Sequence, residues 1–202
     1  MTSAHFSSDR GQTLPIYIWL TGILLFAAVA FFVFAQAASV RNGAQSAADA
    51  AALAAAQDAR DELVEALTGA IGQGDDWLDW LNGQDPPGAG ATEAAQALAA
   101  ENGSTVQGGA EPVVMDGYPG FRVAVETINT VGASIIPGTE GMHAKADAIA
   151  VIQPRCDFDP AADPTQPIVL DCDGQIVNID PVDFDPDDLP DASVLFAVHL
   201  AE

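Results

Sequence analysis

Residues 11–40 read GQTLPIYIWLTGILLFAAVAFFVFAQAASV, and none of them is charged, although Arg10 and Arg41 stand at either end. Residues 14–35 of that run are apolar apart from Tyr17, Trp19, Thr21 and Gly22. As a helix rising ~1.5 Å per residue, this segment is roughly 33 Å long, enough for a hydrocarbon core of about 30 Å. Pro15 falls in the first turn, where its missing N–H costs no hydrogen bond. Tyr17 and Trp19 lie toward one end, where interfacial aromatics collect. Buried helices of soluble proteins rarely run this far without a charge. The reading is a membrane helix, and the rest of the chain has to be built outward from it.

The 202 residues carry six Lys and Arg against 29 Asp and Glu, a formal charge of −23. Neutralising phosphates requires clustered cations, so this composition excludes a non-specific nucleic-acid binder and a polybasic dock on an anionic membrane surface. Alanine contributes 38 residues, so the apolar content overstates the volume of large core side chains.

Three fates are open for the N-terminus. An uncleaved anchor is one. A secretory signal cut after the small-x-small Ala35-Gln36-Ala37 is the second, although the apolar stretch exceeds the ~7–15 residues usual for such a signal. A prepilin-type leader cut after Gly11, leaving Gln12 first, is the third. The first fits best. The only two cysteines, Cys156 and Cys172, enclose 15 residues rich in Asp and Pro, with no histidine near them. That spacing argues against zinc and for one disulfide, with two free thiols as the alternative. Disulfides persist outside the cytoplasm. The expected topology is a single pass, with residues 1–13 a cytoplasmic leader and residues 36–202 extracellular.

Past the membrane, residues 37–70 have high helix propensity and few large side chains. The membrane helix is expected to continue as an alanine-surfaced rod to about residue 72, with Asn42-Gly43 as the one place for a flexure. Small residues let another backbone approach closely, so Ala44, Ala48, Ala51, Leu53 and Ala55 form the candidate partner-packing face. Trp77, Leu78, Trp80 and Leu81 make a short apolar cluster that a helical turn can bury, with glycan binding as the alternative. Pro86-Pro87 marks a linker, and residues 92–101 a second helix stopped at Asn102-Gly103.

The period then changes to two. A short strand at 111–115 and a turn at Asp116-Gly117 precede Phe121, Val123 and Val125, which alternate with Arg122, Ala124 and Glu126. In 143–152 one face reads Ala144, Ala146, Ala148, Ala150 and Ile152, which suits close packing on an alanine-rich helix. Residues 168–172, Asp173-Gly174 and 175–179 form a hairpin signal, and 194–200 a last strand. The expected class is α+β: a long membrane helix continuing into an alanine-rich helix, packed against a small, mostly antiparallel sheet. The expected division is 1–13 leader, 14–35 membrane helix, 36–72 extension helix, 73–155 α+β exterior domain, and 156–202 acidic disulfide-bearing extension.

No constellation licenses an enzyme class. There is no Gly-x-Ser-x-Gly, and Gly108-Gly109 lacks the Lys-Ser/Thr of a phosphate loop. His5, His143 and His199 lie far apart. Asp180, Asp183, Asp185, Asp187 and Asp188 invite calcium, but counted from Asp183 an EF-hand loop would place Asp188 and Val194 where Gly and Glu belong. A solvated acidic loop is the better reading, and no cofactor is expected.

Arg10-Gly11 before the membrane helix, small residues at its outer end, and RNGAQSAADAAALAAA at 41–56 together resemble the N-terminal module of TadE/TadG-like proteins of Flp (tight-adherence) pilus assembly. The C-terminal part, with Cys172-Asp173-Gly174 and LPDASVLFAVHL at 189–200, looks like the extension of TadG-related proteins. The resemblance implies a membrane-anchored, pseudopilin-like structural or assembly component without catalytic residues. Its partners would be other pilus-assembly or pseudopilin-like membrane proteins and membrane lipid, with an oligomer plausible. TadE-type pseudopilins carry Glu five residues after the leader glycine, where this chain has Ile16, and that departure favours the uncleaved TadG-like kind. The competing function is a membrane-tethered or secreted acidic ligand-binding domain, calcium included.

Overall fold

The computed structural model describes residues 13–74, 77–83, 86–130 and 141–201. Helix α1 (Thr13–Ala70) runs 58 residues without interruption, straight through Asn42-Gly43. Two short helices follow, α2 (Trp77–Leu81) and α3 (Ala91–Glu101), then strands β1 (Ser104–Met115), β2 (Tyr118–Thr127) and β3 (Lys145–Pro154). The C-terminal part supplies β4 (Cys156–Asp157), β5 (Ile168–Cys172), β6 (Gln175–Ile179), α4 (Ala192–Leu195) and β7 (Phe196–Leu200). These form a four-stranded sheet of order β1-β2-β3-β7 and a three-stranded sheet of order β4-β5-β6, antiparallel in every pairing. The α+β expectation is met.

The core shows why these residues form these elements. Along the outer part of α1, Ala44, Ala47, Ala48, Ala51, Ala52, Ala55, Ala56, Ala59, Leu63 and Leu67 have no exposure. Their spacing of three and four residues traces one helix face. Against it stand Ala91, Ala95 and Ala99 of α3, and Phe121, Val123, Val125, Ala148, Ala150 and Ile152 of the sheet. The alanine face expected on β3 is there, from half-buried Ala146 through Ile152, and it packs on the rod as read. Leu63 and Leu67 each contribute about 1.5–3 kcal/mol by full burial. The alanines contribute less area, but they set how near the sheet can come. Ile168, Leu170, Val177 and Ile179 bring the smaller sheet into the same core, beside Trp77, Leu195 and Phe196.

Both Asp-Gly turns form as expected. Asp116 and Asp173 have φ of 53° and 52°, with Gly117 and Gly174 at 87° and 89°. Two consecutive left-handed residues are what a type I′ hairpin turn requires. The second hairpin, Ile168–Cys172 to Gln175–Ile179, matches its sequence reading residue for residue.

Three details differ from the sequence reading. Strand β1 begins at Ser104 rather than near residue 111, because Gly108 and Gly109 are absorbed in an irregularity between Gln107 and Ala110 that restores the pairing register. A bulge of this kind bends and twists an edge strand. Strand β3 starts at Lys145, so His143 precedes it, with Nδ1 2.6 Å from the Thr127 carbonyl. The last strand starts at Phe196, after the single turn of α4. Strand β7 pairs with β3, so the C-terminal extension completes the larger sheet as well as building its own.

Candidate functional site

A 58-residue helix rising ~1.5 Å per residue is roughly 87 Å long, and its two halves live in different surroundings. From Leu14 to Gly43 no residue is buried, and Leu14, Ile16, Ile18, Trp19, Phe26, Phe31 and Phe34 are all exposed. From Ala44 onward one face is buried. The helix is long and apolar enough to cross a membrane, by length and composition. An exposed apolar surface of this extent is far larger than soluble monomers show, and a bilayer supplies the solvent it needs.

The residues expected to meet a partner lie on the inner face. Ala44, Ala48, Ala51 and Ala55 are fully buried inside this chain, and Leu53, off that stripe, is half-buried. The close approach that small side chains permit is used by the chain's own sheet and α3. The sequence carried the signal for this arrangement. Gln45, Asp49, Gln57, Asp61 and Glu65 mark the solvent face, and what they leave free is the buried stripe. The length of α1 from 14 to 43 has no buried residue and stays open to contacts outside the molecule. Gly11 and Gln12, the candidate leader-processing pair, lie outside the described residues.

Where α1 meets the start of α3, two acidic residues one turn apart take different roles. Glu62 accepts hydrogen bonds from the backbone N–H groups of Ala89 and Gly90, at 3.1 and 2.9 Å. It thereby satisfies donors at a helix N-terminus and places negative charge at the positive end of the helix dipole. Asp58, one turn earlier, has its Oδ2 enclosed without a hydrogen-bond partner, next to Gly90. Burial raises the Asp58 pKa above the ordinary 3.8, with Glu62, Asp61 and Glu93 adding to the shift.

The two cysteines are joined, Cys156 to Cys172, with Cα atoms 4.0 Å apart and directly opposite in the β4–β5 pairing. The bridge ties the start of the C-terminal extension to its hairpin. Arg155 adds a second tie, pairing with Asp173 at 2.6 Å and donating to the Ser193 carbonyl at 3.0 Å. Trp77 is fully buried and its indole N–H donates to the Pro164 carbonyl at 3.1 Å, so it serves as core and not as a glycan platform. In the acidic loop, Asp180 and Asp185 accept from the backbone N–H groups of Val182 and Asp187, each two residues on. These are local turns, with a single 3₁₀ turn at Pro186–Asp188. No group of three or more metal-ligating side chains converges among the described residues. His143 lies before β3, beside Thr127, and His199 lies on β7.

Residues 11–58 match the family described as "Tad: Putative Flp pilus-assembly TadE/G-like". The match spans the whole apolar segment and the first turns of the buried alanine face, about a quarter of the chain. No curated protein matches, and no solved structure does.

Proposed function

We propose, from a TadE/G-like module that coincides with one unbroken helix, that this chain is a membrane-anchored structural or assembly component of a tight-adherence (Flp-type) pilus machine, with no catalytic role. The observation carrying this is the position of the family match. It ends inside the buried alanine stripe, so the recognised module contains both the unburied apolar helix and the graft onto the exterior domain. The proposed topology is a cytoplasmic leader at 1–13, a membrane segment at 14–35, an extension helix to residue 72, and exterior parts at 73–155 and 156–202. The Cys156–Cys172 bridge supports an oxidising, exterior location for the last of these.

Partner contacts of this protein are made by the unburied part of α1, residues 14–43, through close helix packing in the membrane and just outside it. Because the native cysteines are engaged with each other, single added cysteines make the test direct. Gly22→Cys and Ala37→Cys, labelled in native membranes with a thiol-specific benzophenone cross-linker and irradiated, should yield adducts with other pilus-assembly proteins or with a second copy. Ala51→Cys, on the buried face, should give none. Absence of adducts across the whole unburied segment would sink the packing mechanism. Protease digestion of intact cells that leaves residues 73–202 untouched would sink the topology.

A further inference from the structure

Two large apolar side chains outside α1 are exposed at the same end of the four-stranded sheet. Ile128 directly follows β2 and Met142 precedes β3, and they are 54% and 56% exposed. The backbone that carries them is pinned. Thr127 N–H donates to the Ala144 carbonyl at 2.9 Å, and Ile128 N–H to the Gly103 carbonyl at 2.8 Å. The Thr127 hydroxyl accepts from Ala144 N–H at 3.0 Å, and His143 Nδ1 lies 2.6 Å from the Thr127 carbonyl.

Two contacts fix where this sheet end lies along α1. Gln45, at the start of the buried stretch, donates from Nε2 to the Asp147 carbonyl at 3.5 Å. Gly83, past the other end of α1, lies against Pro154, the last residue of β3. Strand β3 therefore begins at the end of the domain that faces the membrane segment. Ala144, three residues before Asp147, lies up to ~10 Å further that way at ~3.3 Å per strand residue, a rise of about six helical residues. That sets it about level with Val40 and Arg41, where the uncharged run ends. Partial burial on α1 agrees. Ala30, Val33, Gln36 and Val40 are half-buried, and at steps of three and four they prolong the face of Ala44, Ala47 and Ala48. The domain thus reaches alongside the apolar run and does not stop short of it. Charge is distributed to match. Residues 128–130 and 141–144 include no acid in a chain that holds 29, while exposed Arg41 stands at the same level. Carboxylates would be repelled by anionic headgroups.

We infer that this sheet end is a second membrane contact: Ile128 and Met142 enter the interfacial layer of the same bilayer that α1 crosses. The occupant of this surface is lipid, because its level along α1 is that of the membrane boundary and its side chains are apolar and unaccompanied by acids. The inference rests on the membrane reading of α1, and the test separates the two.

The test places the full chain in vesicles of phosphatidylethanolamine and phosphatidylglycerol, part of the lipid carrying a spin label near the top of its acyl chain. With the native cysteines bridged, each of Ile128→Cys, Met142→Cys, Val114→Cys and Phe31→Cys takes a single fluorophore. Val114 is exposed at the opposite end of the β1–β2 hairpin, and Phe31 is exposed within the apolar run. Labels at 128, 142 and 31 should be quenched by the spin-labelled lipid, and the label at 114 should not. Adding Ile128→Asp to the Met142→Cys chain should lower its quenching about twofold or more, because a carboxylate resists leaving water. Quenching at 128 and 142 no greater than at 114, with the label at 31 quenched, would overturn the inference and leave the anchor standing. An unquenched label at 31 would overturn both. Quenching at 142 that ignores Ile128→Asp would mean that the dye inserts by itself, and would also overturn the inference.

Discussion

Gly120 of β2 passes so close to the backbone carbonyl of Ala150 on β3 that no side chain fits between the strands at that point. The obstructing atoms are backbone, and both strands belong to the sheet that covers α1. Gly120→Ala must therefore push β2 from β3 or distort both. The expected loss is about 1–3 kcal/mol, seen as a lower urea midpoint for the domain packed on α1. An unchanged midpoint would mean that the strands are not as close as described.

The alanine face of α1 makes a related prediction. Ala55→Leu adds three carbons where the helix, α3 and the sheet already meet without exposure. Overpacking should cost about 1–3 kcal/mol or more and should loosen the domain packed on α1 even with no partner present. Were the variant as stable as the parent in isolation but defective only in complex formation, the face would belong to a partner after all.

Glu62 and the start of α3 can be separated from general packing. Glu62→Ala removes the acceptor of two backbone N–H groups and should cost about 0.5–2 kcal/mol, the range for a lost helix cap. Glu62→Gln keeps an oxygen and should lose less. Hydrogen exchange at Ala89 and Gly90 should quicken in the alanine variant, while exchange within β5 and β6 stays as it was.

Asp58 sets a pH dependence with a definite sign. Its pKa is raised in the folded chain by burial and by Glu62, Asp61 and Glu93, so the folded state binds more protons than the unfolded state across the interval above 3.8. Stability from this group is complete below that value and is lost as the pH rises through the raised one. Asp58→Asn should therefore be more stable than the parent at neutral pH, and the difference should shrink on acidification. A difference that grows toward low pH would reverse the assignment.

Reduction of the Cys156–Cys172 bridge frees the 15-residue loop between its ends. The chain-entropy model puts the loss at roughly 3 kcal/mol for a loop of this length. The Cys156→Ser/Cys172→Ser variant should show that loss in urea, accompanied by faster proteolysis between residues 157 and 171.

Local signals carried much of this fold. The uncharged run named the membrane segment, and the two Asp-Gly pairs placed their turns because achiral Gly adopts positive φ freely and Asp and Asn tolerate it best among L residues. The alanine alternation in β3 even named its packing partner. What escaped was non-local. Ser104 to Ala110 lacks an apolar alternation, so no local signal extends β1 back from residue 111; its Gly108-Gly109 pair is the bulge that shifts the register of the strand. Pairing of β7 with β3 spans a long stretch of chain, and nothing near Phe196 announces it. The alanine stripe was visible, but alanine packs as well on a neighbour as on its own sheet, and only the tertiary arrangement decides which.

The uninterrupted passage of α1 from Thr13 into the domain core has a mechanical consequence. No loop separates membrane from domain, so the helix is a lever whose short arm sits in the bilayer. From Ala35 to Ala70 the outer arm is roughly 52 Å at ~1.5 Å per residue. A tilt of about 10° at the membrane then sweeps the far end through about 9 Å. Rotation of the anchor turns every exterior surface by the same angle. Whatever grips the helix in the membrane thereby aims the domain outside it.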